Sequence, residues 1–520
     1  MKKTNKVIAV VLAVVLALAM GITAFAAGNR TITIMNDAPN HKYEAYQVFA
    51  GDVVIKDGKN VLSNVKWGSG ITDVGKAALG DAETKLASLK TEDDAKAFAK
   101  AVAPYLTNAK ESGAQANGKY TISGLDDGYY LVKDKDNSLT TEDDFYTAYI
   151  MKVVGADVET QPKGEKPTLD KQIKHNESNT WGVVGDNQIG DTIEFRTIST
   201  VPKNTENYTT YKYEIHDTMS AGLTSNVKTA DDVKILVNDK GEALSKDYYT
   251  LTANGNSFVI SVKIKEAIAA GVMKAGDELY VYYTGTLNKD ALIYDEGSQN
   301  NVAHLEYSNN PNDDSSTGKT PEKKVYDWTF KMEFNKVDGK DTSKKLEGAR
   351  FVLSKNGTLK VSDMNCDING VPANTTDLIP LVKVSDGVYR VATSEDAAET
   401  FVYAFEAGTA VVKGLDDSIQ YYLYETKAPD GYNLLKNPVS FKINADYNES
   451  GSALKEGYPT VIVNDGNPST TLSTDIKNNS GSELPETGGI GTTIFYIVGG
   501  ILLAAAGILL ITKKRMSHAA

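Results

Sequence analysis

Apolar side chains recur at every second position along this chain, as in Phe330, Met332 and Phe334, in Tyr211, Tyr213 and Ile215, and in Tyr421 and Leu423. In a strand, residues two apart share a face, so this period commits the chain to half-buried β-structure. Strand-like patterns also run through 31–34, 145–154, 258–264, 278–284, 351–353, 439–443 and 460–463. Tyrosine outnumbers phenylalanine by 28 to 13, which suits half-exposed strands better than helical cores. The exception is an Ala-rich stretch at 74–105, whose spacing predicts one or two helices.

The ends carry processing signals. Lys2, Lys3 and Lys6 precede an unbroken apolar run, Val7 to Met20, followed by the small residues Ala24, Ala26 and Ala27. A basic start, a short apolar core and an Ala-x-Ala site predict a secretory signal peptide over 1–26. At the other end stand Leu484, Pro485, Glu486, Thr487 and Gly488, then an apolar run from Ile494 to Ile511, then Lys513, Lys514 and Arg515. The run is long enough to cross a bilayer, with the basic tail cytoplasmic. This ordered triple resembles the substrate signal of sortase transpeptidases. The resemblance implies attack by a sortase cysteine on the Thr487 carbonyl, release of Gly488 onward and transfer of the acyl group to an amine.

Processing removes six cationic residues and no acid, so the net charge moves from −13 to near −19. That surface argues against nucleic acid or an anionic membrane as partner. The single cysteine, Cys366, excludes an internal disulfide framework in a chain whose export would permit one. The remaining chain, roughly 460 residues, suits about three domains. Two polar, Pro-bearing breaks divide it: Gln161-Pro162-Lys163-Gly164-Glu165-Lys166-Pro167, and 308–321. The expected divisions are 27–162, 163–318 and 319–482, with the sorting region at 484–520. The expected architecture is mainly β: three tandem sandwich domains, the first with added helices. A faint repeat sets Gly124-Leu125-Asp126-Asp127 and the following Tyr129-Tyr130-Leu131 against Gly414-Leu415-Asp416-Asp417 and Tyr421-Tyr422-Leu423.

The two-residue period also exposes an anomaly. Lys336 continues the apolar face of Phe330, Met332 and Phe334, and Lys171 lies between Leu169 and Ile173. Glu425 extends the Tyr421–Leu423 face, and Asp217 extends Tyr213–Ile215. Asn301 aligns with Ala303, Leu305 and Tyr307; Asn478 aligns with Leu472 and Ile476. Each of the two later domains therefore places a lysine, an acid and an asparagine on faces that read as buried. Strand-end exposure or a hydrogen-bonded ion pair would be the ordinary explanation, but buried ion pairs stabilise poorly. The chemical alternative is covalent. A desolvated lysine is a neutral nucleophile, and a neighbouring acid raised by the same burial can shuttle protons. Attack on the asparagine amide with loss of ammonia leaves a Lys–Asn isopeptide bond, Lys171–Asn301 or Lys336–Asn478. Closing loops of 130 and 142 positions could contribute on the order of 5 kcal/mol each. Asn464 and Asn479 are alternatives to Asn478.

These residues resemble the sortase-assembled major (backbone) pilins of Gram-positive bacteria, over essentially the whole chain. Tyr421-Tyr422-Leu423-Tyr424-Glu425-Thr426, with Lys427-Ala428-Pro429-Asp430-Gly431-Tyr432, is close to that family's E-box. The resemblance implies that Glu425 assists isopeptide formation. Lys336 with Leu346-Glu347-Gly348-Ala349-Arg350-Phe351 resembles the opening of a collagen-adhesin B-type domain. The 301–311 segment resembles the closing strand of the family's middle domain, collagen-adhesin A-like, where the acid would be Asp217. The resemblance also implies a linkage lysine after the first domain. Here that is Lys163, in Gln161-Pro162-Lys163 where the family has a Tyr-Pro-Lys-like motif, with Lys166 as competitor. In the repeat alignment Lys133 stands at the Glu425 position, so no isopeptide bond is expected in the first domain.

The implied function is structural: sortase joins Thr487 of one subunit to Lys163 of the next, and peptidoglycan receives the last. The implied partners are identical subunits, pilus-specific and housekeeping sortases, minor pilins and host surface ligands, without nucleic acid. The competing readings are a monomeric wall-anchored adhesin, which lacks support from an Arg-Gly-Asp sequence, and a minor or anchoring pilin. An enzyme is not expected. There is no His-Glu-x-x-His or Gly-x-Ser-x-Gly, and Gly318-Lys319-Thr320 lacks the upstream glycine of a P-loop, Asp313 standing there. No cofactor or metal is expected: Asp134, Asp136 and Ser138 begin like a calcium loop, but Leu139 stands where the turn glycine belongs.

Overall fold

The structure, a computed structural model, describes residues 28–139, 144–162, 166–311, 313–361, 376–481 and 490–516. The signal segment, Cys366, Lys163 and the Leu484–Gly488 motif lie outside the described residues.

The chain is mainly β, and its sheets fall into three successive pairs. In the first pair, Arg30–Met35 lies between Lys119–Leu125 and Val158–Thr160, facing a sheet ordered Lys59–Trp67, Tyr43–Lys56, Gly128–Asp134, Ala148–Val153. Ile32, Ile34, Tyr43, Tyr120, Tyr130 and Val132 fill the space between the two sheets. A second cluster, including Phe49, Phe98, Val102 and Leu131, packs the outer face of the larger sheet against helices. The Ala-rich stretch forms three short helices, Asp73–Leu79, Ala82–Ser88 and Glu92–Val102, not one or two. Thr72, Asp81 and Thr91 each accept a backbone N–H at a helix start, and these N-caps divide the stretch.

The second pair sets the Leu169–Lys174, Thr192–Thr200 and Glu278–Leu287 strands against a sheet containing Gln299–Ser308 and Tyr213–Met219. Lys323–Trp328 also belongs to this second sheet, pairing from Gln299↔Asp327 to Ala303↔Lys323. The expected division at 318/319 therefore falls inside a sheet, and the chain passes to the third pair at Thr329. Within the polar 308–321 segment Thr317–Lys319 is itself a strand paired with Gln299–Ser308, and polarity alone does not distinguish such a connection within a sheet from a linker.

The third pair places Phe330–Asp338 between Thr409–Leu415 and Ser473–Asn478, over a sheet ordered Ala404–Ala407, Ala349–Ser354, Gln420–Lys427, Val439–Asn444, Thr460–Val463. It repeats the first pair. Arg30↔Leu125 and Phe330↔Leu415 are both followed by a register shift, and in both pairs the first strand runs parallel to the last. Gly124 and Gly414 hold φ of +72° and +86° at the matching turn, a conformation glycine adopts without strain. One apolar core runs unbroken from Leu169 to Ile476 through the second and third pairs, whereas the first pair keeps its own clusters. The helix Ile490–Met516 contains a 21-residue stretch, Ile494–Lys514, long and apolar enough to cross a membrane.

Candidate cross-linking sites and the wall anchor

Alternation along Phe330–Asp338 carries Lys336 into the third core, where it is fully buried with Glu425 and Asn478. Lys336 and Asn478 sit on neighbouring parallel strands, in register Lys336↔Ile476 and Asp338↔Asn478. Glu425 reaches them from the opposite sheet. Lys336 Nζ donates to Asn478 Oδ1 and, at 3.1 Å, to the Ile476 carbonyl. Glu425 Oε1 lies 3.2 Å from Lys336 Nζ. Asn478 Nδ2 donates to Glu425 Oε1 at 2.9 Å and Oε2 at 3.0 Å, and Leu435 N donates to Oε2 at 2.8 Å. Burial holds the lysine below its usual range despite the opposing pull of Glu425. One carboxylate thus touches both the amine and the amide nitrogen. Asn464 Oδ1 instead accepts from Ser440 N, and Asn479 is exposed, so neither alternative shares the pocket.

The second site joins two sheets. Lys171, on Leu169–Lys174, crosses the core to donate to Asp217 Oδ2 on Tyr213–Met219. Asn301 lies on the strand beside Asp217, in register Met219↔Asn301. All three are at most 1% exposed. Between them stands Tyr283, which the strand pattern did not single out because a tyrosine on a buried face reads as packing. Its hydroxyl donates to Asp217 Oδ2, accepts from Lys171 Nζ, and accepts from Asn301 Nδ2 at 3.4 Å. Lys171 Nζ lies 5.1 Å from the Tyr283 ring centre and 5.8 Å from that of Phe195. Burial lowers the lysine, with Asp217 opposing, and burial together with Asp217 pushes Tyr283 well above its usual range. Asp217 Oδ1 and Asn301 Oδ1 are buried without a hydrogen-bond partner.

The first pair of sheets departs from this pattern, and not as the repeat alignment implied. Tyr130, Val132 and Asp134 face the space between the sheets, whereas Lys133 points away and pairs with Asp136 at 2.6 Å. The residue matching Glu425 by face is therefore Asp134, an acid, and the alignment was out of step by one. Asp134 Oδ1 meets His41 Nδ1 at 2.7 Å, and its Oδ2 accepts from Thr147 N and Oγ1 at 2.7 and 2.8 Å. His41 Nε2 lies 3.1 Å from Asp144 Oδ2. Burial alone would lower the imidazole, but the two carboxylates outweigh it and hold it up at about 9. Asp134 has no lysine partner among the described residues.

Lys166 is exposed on the segment that leads out of the first pair of sheets; burial pushes Asp144 up, but His41 above all, then Phe145 N and the charge of Lys166, hold it below the usual carboxylate range.

The SpaA prealbumin-like fold domain matches residues 330–455, and the LPXTG cell wall anchor motif matches 476–518. The chain is 26% identical over 373 residues to the trypsin-resistant surface T6 protein of Streptococcus pyogenes serotype M6, covering 63% of this chain and 65% of that protein. It is 26% identical over 330 residues to the type 1 fimbrial subunit of Actinomyces viscosus, covering 58% and 57%. The chain thus spans less than two thirds of the length of these curated relatives. In fold it resembles the full-length major pilin SpaD of Corynebacterium diphtheriae, at TM-score 0.51, 17% identity and 87% and 98% coverage. The T6 backbone pilin of serotype M6 Streptococcus pyogenes, described as a modular three-domain structure, aligns at TM-score 0.51, 16% identity and 87% and 99% coverage. The chain thus carries an LPXTG cell wall anchor motif and a SpaA-type prealbumin-like domain, and in fold it resembles solved multi-domain major pilins.

Proposed function

We propose that this chain is the backbone subunit of a covalent surface pilus. In this reading a pilus sortase joins Thr487 of one subunit to Lys163 of the next, and a housekeeping sortase passes the last subunit to peptidoglycan. The observation that carries it is the buried Lys336–Glu425–Asn478 constellation in a chain that ends in a wall-sorting signal. A fibre one molecule wide has no disulfides here to hold it, and buried cross-links would supply that strength.

The chemistry proposed for each site is one turnover. The neutral lysine Nζ attacks the asparagine Cγ, and the C–N bond to Nδ2 breaks. One proton from Nζ passes through the carboxyl to Nδ2, which departs as ammonia. Glu425 would serve Lys336 and Asn478, and Asp217 would serve Lys171 and Asn301. The mature chain should then weigh about 34 Da less than its composition, one ammonia per bond. A mass equal to the composition would overturn the cross-links.

Polymerisation is tested on wall extracts by immunoblot, comparing the wild type with Lys163→Ala. A detergent-resistant ladder that collapses to monomer in the variant is expected. A ladder that survives would move the linkage to Lys166. A single wall-linked band in both strains would favour the monomeric adhesin.

A further inference from the structure

Where the second pair of sheets meets the third, three aspartates converge that neither cross-link uses. Asp186 ends the strand Val184–Asp186, and Asp416 and Asp417 form the turn after Thr409–Leu415. They are 0%, 1% and 2% exposed. With Glu177, which is exposed, they offer four carboxylate oxygens within 4.8 Å of one another.

The hydrogen bonding inside this cluster is one-sided. Asp416 Oδ2 accepts from Asn176 Nδ2 at 2.8 Å, Asp417 Oδ2 from Ala445 N at 2.8 Å, and Asp186 Oδ2 from the Tyr447 hydroxyl at 3.3 Å. These donors fix the orientation of each carboxylate. The other oxygen of each, Oδ1 of Asp186, Asp416 and Asp417, is buried with no hydrogen-bond partner. Leaving one such acceptor unmet is costly, and three together at one place call for a shared partner. Among the described residues no lysine or arginine pairs with any of the three. The one basic neighbour is His175, whose Nε2 is 3.4 Å from Asp186 Oδ2. Asp327, paired in register with Gly185, adds a further buried carboxylate whose charge bears on Asp186.

We propose that this cluster is a calcium site that clamps the second pair of sheets to the third, with Asp186, Asp416 and Asp417 as ligands and Glu177 closing it from the solvent side. An all-carboxylate donor set is hard, which suits Ca²⁺ better than a transition metal, and Ca²⁺ tolerates irregular geometry where Mg²⁺ demands an octahedron. An exported chain meets calcium freely. The ligands lie 230 positions apart in sequence, so the bound ion would join two units that the chain otherwise connects only through Trp328 and Thr329. The proposal stands independently of pilus assembly.

The test is calorimetric titration of the EDTA-stripped, dialysed full chain with CaCl₂ alone, with thermal unfolding in EDTA and in calcium. One Ca²⁺ per chain is expected, with a Kd at or below about 10⁻³ M and a Tm several degrees higher in calcium. The Asp416→Asn/Asp417→Asn pair should bind at least tenfold more weakly. It should also melt no lower than the wild type in EDTA, because an asparagine carbonyl can still accept from Asn176 and Ala445. If that variant does not fold, Glu177→Gln, at the exposed edge, should still fold and weaken calcium severalfold. No calcium heat up to about 10 mM, with the same Tm in EDTA and calcium, would overturn the site. Tighter ZnCl₂ binding that is lost in His175→Ala would overturn its assignment to calcium.

Discussion

Tyr283 is the residue that most changes the picture of the second site. Lysine, acid and asparagine were legible because a charge on an apolar face violates the strand pattern, whereas a tyrosine there violates nothing. Its hydroxyl contacts all three partners, so it holds the amide beside the amine and is positioned to relay a proton. The Lys336 site needs no such bridge, because Glu425 itself touches both groups. Tyr283→Phe should therefore slow the proposed Lys171–Asn301 cross-link about tenfold or more and leave the proposed Lys336–Asn478 cross-link unaffected. The check is intact mass over time after synthesis: a population about 17 Da heavier than the wild type should persist, one retained ammonia. Peptide mapping should assign it to Lys171 and Asn301. A mass identical to the wild type at all times would reduce Tyr283 to packing.

At the scale of strands, what the sequence revealed was faces, and what it hid was neighbours. Every inward lysine, acid and asparagine named from the two-residue period is buried, because alternation is a local property of a strand. Pairing is not local. Thr320-Pro321 reads as the end of a linker, yet Lys323–Trp328 returns to cover the strand that carries Asn301. The repeat was visible through its Gly-Leu-Asp-Asp turn, but the inward acid follows the turn by seven positions at Asp134 and by eight at Glu425. The tyrosine pairs of the two copies therefore sit one position out of step, and Asp134, not Lys133, faces inward. Nor could any local pattern bring Asp186 to Asp416. A chain ending at 318 should lose the strand and its buried Val325 and Trp328, whose burial contributes roughly 3–5 kcal/mol. It should also expose an unpaired edge beside Asn301. Such a chain is expected to aggregate or lose the cooperative transition of the second pair, whereas one ending at 328 should keep that transition, as followed by circular dichroism.

Across the whole molecule, the second and third pairs share one core, while the first pair stands on its own clusters. Its contacts with the second among the described residues include Lys96 to Glu206 at 2.9 Å, Lys100 to Thr209 at 3.0 Å and Tyr146 N to the Asn309 carbonyl at 2.7 Å. Calorimetry should therefore resolve two transitions, the lower one belonging to the first pair. That transition should depend on pH through His41. The folded imidazole is raised to about 9, above the unfolded value near 6.5, so its stabilising effect is complete below about 6.5 and lost as pH rises through 9. The lower Tm should fall across that window, by the equivalent of roughly 3 kcal/mol at most. His41→Gln should flatten the dependence, and a lower transition indifferent to pH would show that the pair is not charged. The third pair of sheets has a different consequence. Its first and last strands, Phe330–Asp338 and Ser473–Asn478, lie side by side and parallel, rung against rung from Glu333↔Ser473 to Asp338↔Asn478. A pull on the two ends of this unit drags one strand backward and the other forward along their shared length. The rungs then resist together in shear and cannot open one at a time like a zipper. Lys336 and Asn478 sit at the far end of that ladder, so a bond between them would carry the tension from strand to strand and leave the apolar core unloaded.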